Sequence, residues 1–285
     1  MALYVPQGAD FQWQYASTTN TRPTTTGFGI SVTPGTQPNK GNWVQVASSV
    51  NVSQEVYGVS ICANNGATSN TIRNILMDVG VDNAGGTAYQ VVIPDLLCGY
   101  SSPYGLGFGG VWYYFPLYIP SGSSVAVRAQ STTTTAFNVS ITLLGQPRRP
   151  DSVRCGSLVV PFGVVSATSS GTPTTLGTTA EGAWTQVGTA LTRSLWWWQV
   201  GYSCLDASMS AAIIHADVGA GDAANKKIIL ENCIIQTTAA EQISTNQNMM
   251  NAYNNVAAGD LIYVRGQTSG TADTTPGFVV YGLGG

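Results

Sequence analysis

Apolar and polar side chains alternate with a period of two through most of this chain. Phe137-Asn138-Val139-Ser140-Ile141-Thr142-Leu143 does so without a break. Val125, Val127 and Ala129 fall on one face of their segment, with Arg128 and Gln130 on the other, as in half-buried strands. Large and small groups alternate through Val56 to Cys62. Ala211 to Val218, Lys227 to Ile235, Leu261 to Gln267 and Gly277 to Tyr281 read the same way. Turn formers separate these runs, among them Asn64-Asn65-Gly66, Asp82-Asn83-Ala84-Gly85-Gly86, Ser121-Gly122-Ser123 and Ala258-Gly259-Asp260. Helical periodicity is weak. Its best stretch, Ala239 to Tyr253, is dominated by Asn and Gln and reads as a loop with one helical turn at most. Many short strands at this spacing predict an all-β fold, a β-sandwich of jelly-roll type rather than immunoglobulin type.

The pattern is stated twice. Gly41-Asn42-Trp43-Val44-Gln45-Val46 returns as Gly182-Ala183-Trp184-Thr185-Gln186-Val187, and Asp78-Val79-Gly80 as Asp217-Val218-Gly219. Val127-Arg128-Ala129-Gln130 returns as Val264-Arg265-Gly266-Gln267, Leu144-Gly145 as Leu283-Gly284, and Cys62 and Cys98 as Cys204 and Cys233. The matches keep one order at offsets of 135 to 142 residues, the length of a domain rather than of a solenoid repeat. Two tandem duplicated β-sandwich domains are therefore predicted. The first spans 1–146 and carries an N-terminal extension; the second spans 147–285. Gln146-Pro147-Arg148-Arg149-Pro150 marks the junction.

Charge changes the picture more than size does. Apolar residues make up 44% of the chain, enough for two cores, but only 9% of residues are charged, against about 25% in ordinary soluble proteins. A surface built from Thr, Ser, Asn, Gln and Gly has few long side chains to immobilise and suits permanent packing against neighbours. The net charge of −3 divides into −1 (4 − 5) for 1–146 and −2 (7 − 9) for 147–285, so no basic face is offered to nucleic acid. The one dense basic spot, Arg148-Arg149 with Arg154, reads as a solvated linker. No run approaches the roughly 20 apolar residues of a membrane helix. Met1 to Pro6 lacks the features of a signal peptide, which predicts a chain made in a cytoplasm and not secreted. Its cysteines are accordingly expected to be reduced and mostly core, although one bridge per copy would also fit the repeat.

The copies differ most between the second cysteine and the Val-Arg strand. Copy one has a glycine-aromatic stretch from Gly99 to Phe115, with Tyr100, Tyr104, Phe108, Trp112 and Tyr113; copy two has an amide-rich stretch with Asn246, Gln247 and Asn248. Copy two also carries Trp196-Trp197-Trp198 where copy one has Gln54 to Tyr57. Neighbouring strand residues point to opposite faces, so three consecutive indoles cannot share one core. Either a partner protein or the sister domain is expected to cover the remainder. Tyr100, Tyr104, Phe108, Trp112, Tyr113 and Trp196 to Trp198 are the candidate interface residues.

Candidate chemistry is sparse. His215, the only histidine, could join Asp217 in a Ser-His-Asp arrangement, but no Gly-x-Ser-x-Gly motif nominates a serine, and a structural role is expected. Glu55, Glu181, Glu231 and Glu241 share no motif of the kind paired glycosidase carboxylates would need. Asp78 with Asp82, and Asp217 with Asp222, could each hold calcium, or could cap local backbone after a strand. Gly105 to Gly110 opens no helix, so it is not a phosphate loop. No catalytic residue, cofactor or metal is predicted.

One set of motifs has a family resemblance. Asp78-Val79-Gly80, Ile93-Pro94-Asp95-Leu96 and Tyr114-Phe115-Pro116-Leu117-Tyr118-Ile119-Pro120-Ser121-Gly122-Ser123, followed by Val127-Arg128, resemble a pattern in virion structural proteins of tailed bacteriophages. Copy two keeps only Asp217-Val218-Gly219, the Ala258-Gly259-Asp260 turn and Val264-Arg265. The resemblance implies a non-enzymatic capsid decoration or cement protein, made in the host cytoplasm and placed on the capsid surface. It would bind the major capsid protein or other virion proteins and form a homo-oligomer, most commonly a trimer in such proteins. An alternative of another class is a tail or fibre adhesin that recognises host glycan through aromatic platforms and the amides of Asn246, Gln247 and Asn248.

Overall fold

The computed structural model describes residues 12–15, 29–64, 74–98, 111–146, 154–203, 212–238, 242–243, 247–270 and 275–284. Among these, every regular element is a strand. The first half contains β1 (Gln12–Tyr15), β2 (Ile30–Val32), β3 (Gly35–Thr36), β4 (Val44–Ala47), β5 (Glu55–Asn64), β6 (Ile75–Asp82), β7 (Gln90–Leu97), β8 (Val111–Phe115), β9 (Ser124–Ser131) and β10 (Phe137–Gln146). The second contains β11 (Leu158–Phe162), β12 (Val164–Val165), β13 (Ser170–Pro173), β14 (Thr185–Gln186), β15 (Leu195–Ser203), β16 (Ala212–Gly221), β17 (Lys226–Thr238), β18 (Gln242–Ile243), β19 (Gln247–Asn248), β20 (Asn251–Val256), β21 (Leu261–Thr268) and β22 (Gly277–Gly284).

Four sheets form two sandwiches of one topology. In the first, β2-β10-β5-β8 faces β4-β9-β6-β7; in the second, β11-β22-β15-β20 faces β14-β21-β16-β17. These orders are those of a jelly roll, and the duplication read from the sequence is a duplication of fold. The polar stretch 239–253, expected to be loop, instead contains β18, β19 and the start of β20. Its amide-rich sequence concealed this strand pairing.

The repeated motifs maintain each sandwich. Arg128 donates to Asp78 at 2.9 Å across β9 and β6 and lies 4.5 Å over the Trp43 ring. Arg265 donates to Asp217 at 3.0 Å and lies 4.5 Å over the Trp184 ring. A Cβ on Gly80 would stand 2.6 Å from Trp43, and one on Gly219 3.0 Å from Trp184, so each glycine makes room for its indole. The aspartates do further work. Asp78 accepts the N–H of Asp95 (φ 52°) and Asp217 that of Asn232 (φ 50°), fixing a left-handed residue where β6/β7 and β16/β17 shift register. Trp, Asp-x-Gly and Val-Arg thus form one structural unit, made twice.

The two cores are continuous, a single buried cluster running through both sandwiches. Tyr281 of β22 stacks edge-on against Tyr113 at 5.9 Å and Phe115 at 6.0 Å, and Phe115 meets Trp197 at 5.2 Å. The Tyr281 hydroxyl accepts the N–H of Leu97 at 2.7 Å and donates to the carbonyl of Asp95 at 3.0 Å, while Tyr113 donates to the carbonyl of Leu97 at 2.6 Å. Leu97 and Asp95 lie on β7, the edge strand of its sheet. One sandwich therefore inserts a tyrosine into the open side of the other and satisfies edge groups that would otherwise be buried unpaired.

Candidate functional site

The tryptophan triplet is structural. Trp198 packs on Phe162 inside its own sandwich, Trp197 faces the first sandwich against Phe115, and Trp196 is sandwiched at the surface between Arg154 and Tyr253. All three are buried, as is Tyr113, so the expectation that they meet an external partner is corrected. Alternation forced Trp197 out of its own core, and the sister domain covers it. Trp112 is half-buried on β8. Tyr100, Tyr104, Phe108 and Asn246 lie outside the described residues.

A surface does form where the two halves diverge. β19, from the amide-rich stretch, pairs in parallel with β8, which ends the glycine-aromatic stretch: Gln247 pairs with Val111 and Asn248 with Trp112. Met249 then donates its N–H to the carbonyl of Trp112 at 3.0 Å. The two stretches that distinguish the copies are thereby brought together at one sheet edge.

Next to this edge lies a tyrosine-rich junction. Tyr253 of β20 is 64% exposed and stacks at 5.8 Å on Trp196, above which Arg154 sits at 4.3 Å. Tyr114 of β8 lies over Gly58. The Cys155 thiol, bonded to the carbonyl of Tyr57 at 3.5 Å, lies close enough to Tyr57, Tyr114 and Tyr253 to act on their ionisation. Tyr57 and Tyr118 both donate to the Glu55 carboxylate. Burial raises the phenol of Tyr57, with the Glu55 hydrogen bond and charge adding to it. Burial likewise raises Tyr114 and Tyr253. These groups remain neutral at physiological pH and present ring faces and hydroxyls. Sequence reasoning missed Tyr253, Tyr114 and Arg154. Their signal was weak, because Tyr253 sits among asparagines and Arg154 reads as linker.

The other candidates resolve individually. His215, expected to be structural, is exposed on the outer face of β16, opposite Gln267 and Ile234. Solvent reaches it because the outer face of this sheet is uncovered there. The calcium alternative is also corrected. Asp78 is taken by Arg128 and Lys40, and Asp217 by Arg265. Asp82 caps the N–H groups of Ala84 and Ala88, and Asp222 those of Ala224 and Asn225. Backbone donors hold the Asp222 carboxyl below its usual range. Among the described residues, no group of three or more His, Cys, Asp or Glu could hold a metal ion. Glu181 shares Arg265 with Asp217 and its carboxyl is raised, by burial first and then by Asp217.

Cys62, Cys98, Cys155 and Cys233 are not joined in disulfides. Only Cys98 and Cys233 are fully core; Cys62 and Cys155 are half-buried, and Cys204 lies outside the described residues. No helix among the described residues is long and apolar enough to cross a membrane.

No family model matches the chain, and no curated protein matches it. Among solved structures, PNGF-II aligns at 10% identity and a TM-score of 0.39 over 89% of this chain, which spans 65% of that one. The N-terminal CBM22-1–CBM22-2 tandem domain of Paenibacillus barcinonensis Xyn10C aligns at 14% identity and a TM-score of 0.26, over 98% of this chain and 92% of that one. Likeness this distant says nothing of what this chain binds.

Proposed function

We propose that the chain is a non-catalytic virion surface protein of the decoration or cement kind, a stiff pair of jelly rolls that binds and bridges shell subunits. The observation that carries this reading is the welded joint. Tyr281, Trp197, Tyr113 and Phe115 fuse two sandwiches into one body while the repeated charged residues are consumed internally by Trp–Arg–Asp units. A rigid two-module body spans two neighbouring sites without paying linker entropy, so its second contact strengthens the first. The motif resemblance and the uncharged polar surface support placement on a particle. The test is co-sedimentation of the purified chain with particles lacking it, followed by heat challenge. Saturable binding with raised particle stability is expected, and a chain left in the supernatant at every ratio would refute it.

The exposed Tyr253 platform on Trp196 favours one second reading, a glycan-binding adhesin, since sugar rings stack on such faces. A glycan array decides between them. Reproducible binding abolished by Tyr253→Ala would replace the cement reading.

A further inference from the structure

The two Trp–Arg–Asp units differ in charge. Lys40-Gly41-Asn42-Trp43 of the first copy becomes Glu181-Gly182-Ala183-Trp184 in the second, so a glutamate stands where a lysine stood. The left-handed residue held by the aspartate changes with it, from Asp95 to Asn232. In the first unit the Lys40 ammonium lies 3.0 Å from Asp78 and 2.7 Å from Asp95, and it donates to the Leu76 carbonyl at 3.0 Å. With Arg128 on Asp78, two cations face two anions. In the second unit, among the described residues, Arg265 serves both acids, at 2.5 Å from Glu181 and 3.0 Å from Asp217. The Asp217 side chain is 3% exposed and cannot turn to water instead.

We propose that a proton held between Glu181 and Asp217 takes the place of the Lys40 charge, giving the second jelly roll an acid-favoured latch that the first lacks. The latch does not depend on what the chain binds. Glu181 and Asp217 are hydrogen-bonded to each other, which two carboxyl groups achieve only when one carries a proton. Burial first, then this bond and the Asp217 charge, raise the Glu181 carboxyl, with Arg265 opposing them. The groups facing the pair are Arg265 from β21, and from β17 the neutral Asn232 and the Cys233 thiol, within reach of the Asp217 charge. His215 lies two residues along β16. A carboxyl raised by folding stabilises fully below the ordinary glutamate value of about 4.3, and that stability is lost as pH rises through the folded value. The latch holds the segment between β13 and β14 onto β21. Gly177 and Gly182 donate to the Gly266 carbonyl at 3.0 and 2.8 Å, and Thr268 donates to the Gly177 carbonyl at 2.8 Å. Losing the proton leaves two negative charges on one guanidinium beside these bonds, and the segment loosens. The equivalent bond of the first copy, from Gly41 to the Ala129 carbonyl at 2.8 Å, keeps its lysine and does not respond.

The test is urea unfolding and amide hydrogen exchange of the full chain at about pH 4.5 and about pH 7.5, on either side of the expected loss. Glu181→Gln is a permanent neutral stand-in for the protonated acid. Its urea midpoint is expected to match wild type at the lower pH and to exceed it at the higher. An ordinary Glu181–Arg265 ion pair requires the reverse, so a variant weaker than wild type at the higher pH would overturn the inference. In wild type the Gly182 amide should lose protection at the higher pH, after correction for its intrinsic rate, while the Gly41 amide should not. Equal behaviour of the two amides would also overturn it. His215→Gln is expected to retain the wild-type pH difference, and its disappearance there would assign the titration to the imidazole instead. Should Glu181→Gln fail to fold, Glu181→Lys with Asn232→Asp rebuilds the first unit in the second. That variant is expected to lose the pH difference, and keeping it would refute the latch.

Discussion

Removing the Tyr281 hydroxyl isolates what the joint contributes. In Tyr281→Phe the ring remains but the buried N–H of Leu97 loses the partner it has at 2.7 Å, while the Asp95 carbonyl, nearer solvent, can recover water. A buried unsatisfied donor costs about 1–3 kcal/mol, so a loss of about 2 kcal/mol is expected. Tyr281→Ala also removes a fully buried ring that meets two others edge-on. Aromatic-to-alanine changes cost about 3–5 kcal/mol, giving about 5–7 kcal/mol in all. That is comparable with the entire stability of a typical domain, about 5–15 kcal/mol. The equivalent substitution in the first copy, Thr142→Ala, should cost less than about 0.5 kcal/mol, as surface changes do. The assay is equilibrium urea unfolding followed by both tryptophan fluorescence and far-UV circular dichroism. Wild type and Tyr281→Phe should unfold in one coincident transition. Tyr281→Ala should separate the two probes as the sandwiches part. A Tyr281→Phe variant within about 0.5 kcal/mol of wild type would refute the role given to the hydroxyl.

Other consequences can be checked in the same way. Gly80→Ala puts a Cβ 2.6 Å from Trp43 and should destabilise by about 1–3 kcal/mol through overpacking, read as a lowered urea midpoint. Trp184→Leu removes the stack beneath Arg265 and should cost about 0.5–2 kcal/mol beyond its lost area, measured against an Arg265→Met double-mutant cycle. Burial raises the thiols of Cys98 and Cys233, and that of Cys62 to about 12. Above the unfolded-chain thiol value of about 8.5 the unfolded state releases protons that the folded state keeps, so stability is full below that pH and falls above it. The expected loss is about 1.4 kcal/mol per pH unit for each buried thiol, and it should shrink when Cys98 is replaced by Ala.

The sequence made the strands and the doubling legible, because period-two alternation and turn chemistry are local and the repeats aligned in order. The purpose of the repeats was not legible. Trp43, the Asp78-Val79-Gly80 motif and Arg128 are far apart in the chain, and only strand pairing reveals that they meet in one unit. The tryptophan triplet was half legible: alternation required one indole to leave its core, but nothing local distinguished a sister domain from a partner. Tyr281 was invisible, since Val-Val-Tyr-Gly reads as an ordinary strand end and its counterpart is a threonine. The amide-rich stretch misled because asparagine and glutamine dominate it, while β18, β19 and β20 pair with neighbouring strands and β20 still sends Val256 into the core.

Imaging of a particle that carries this chain tests the central claim most directly. The account predicts a paired jelly-roll density on the outer shell, in fixed number per capsomer, with each pair in contact with more than one shell subunit. A particle whose shell shows no such density, or shows the two sandwiches detached and independently placed, would contradict it.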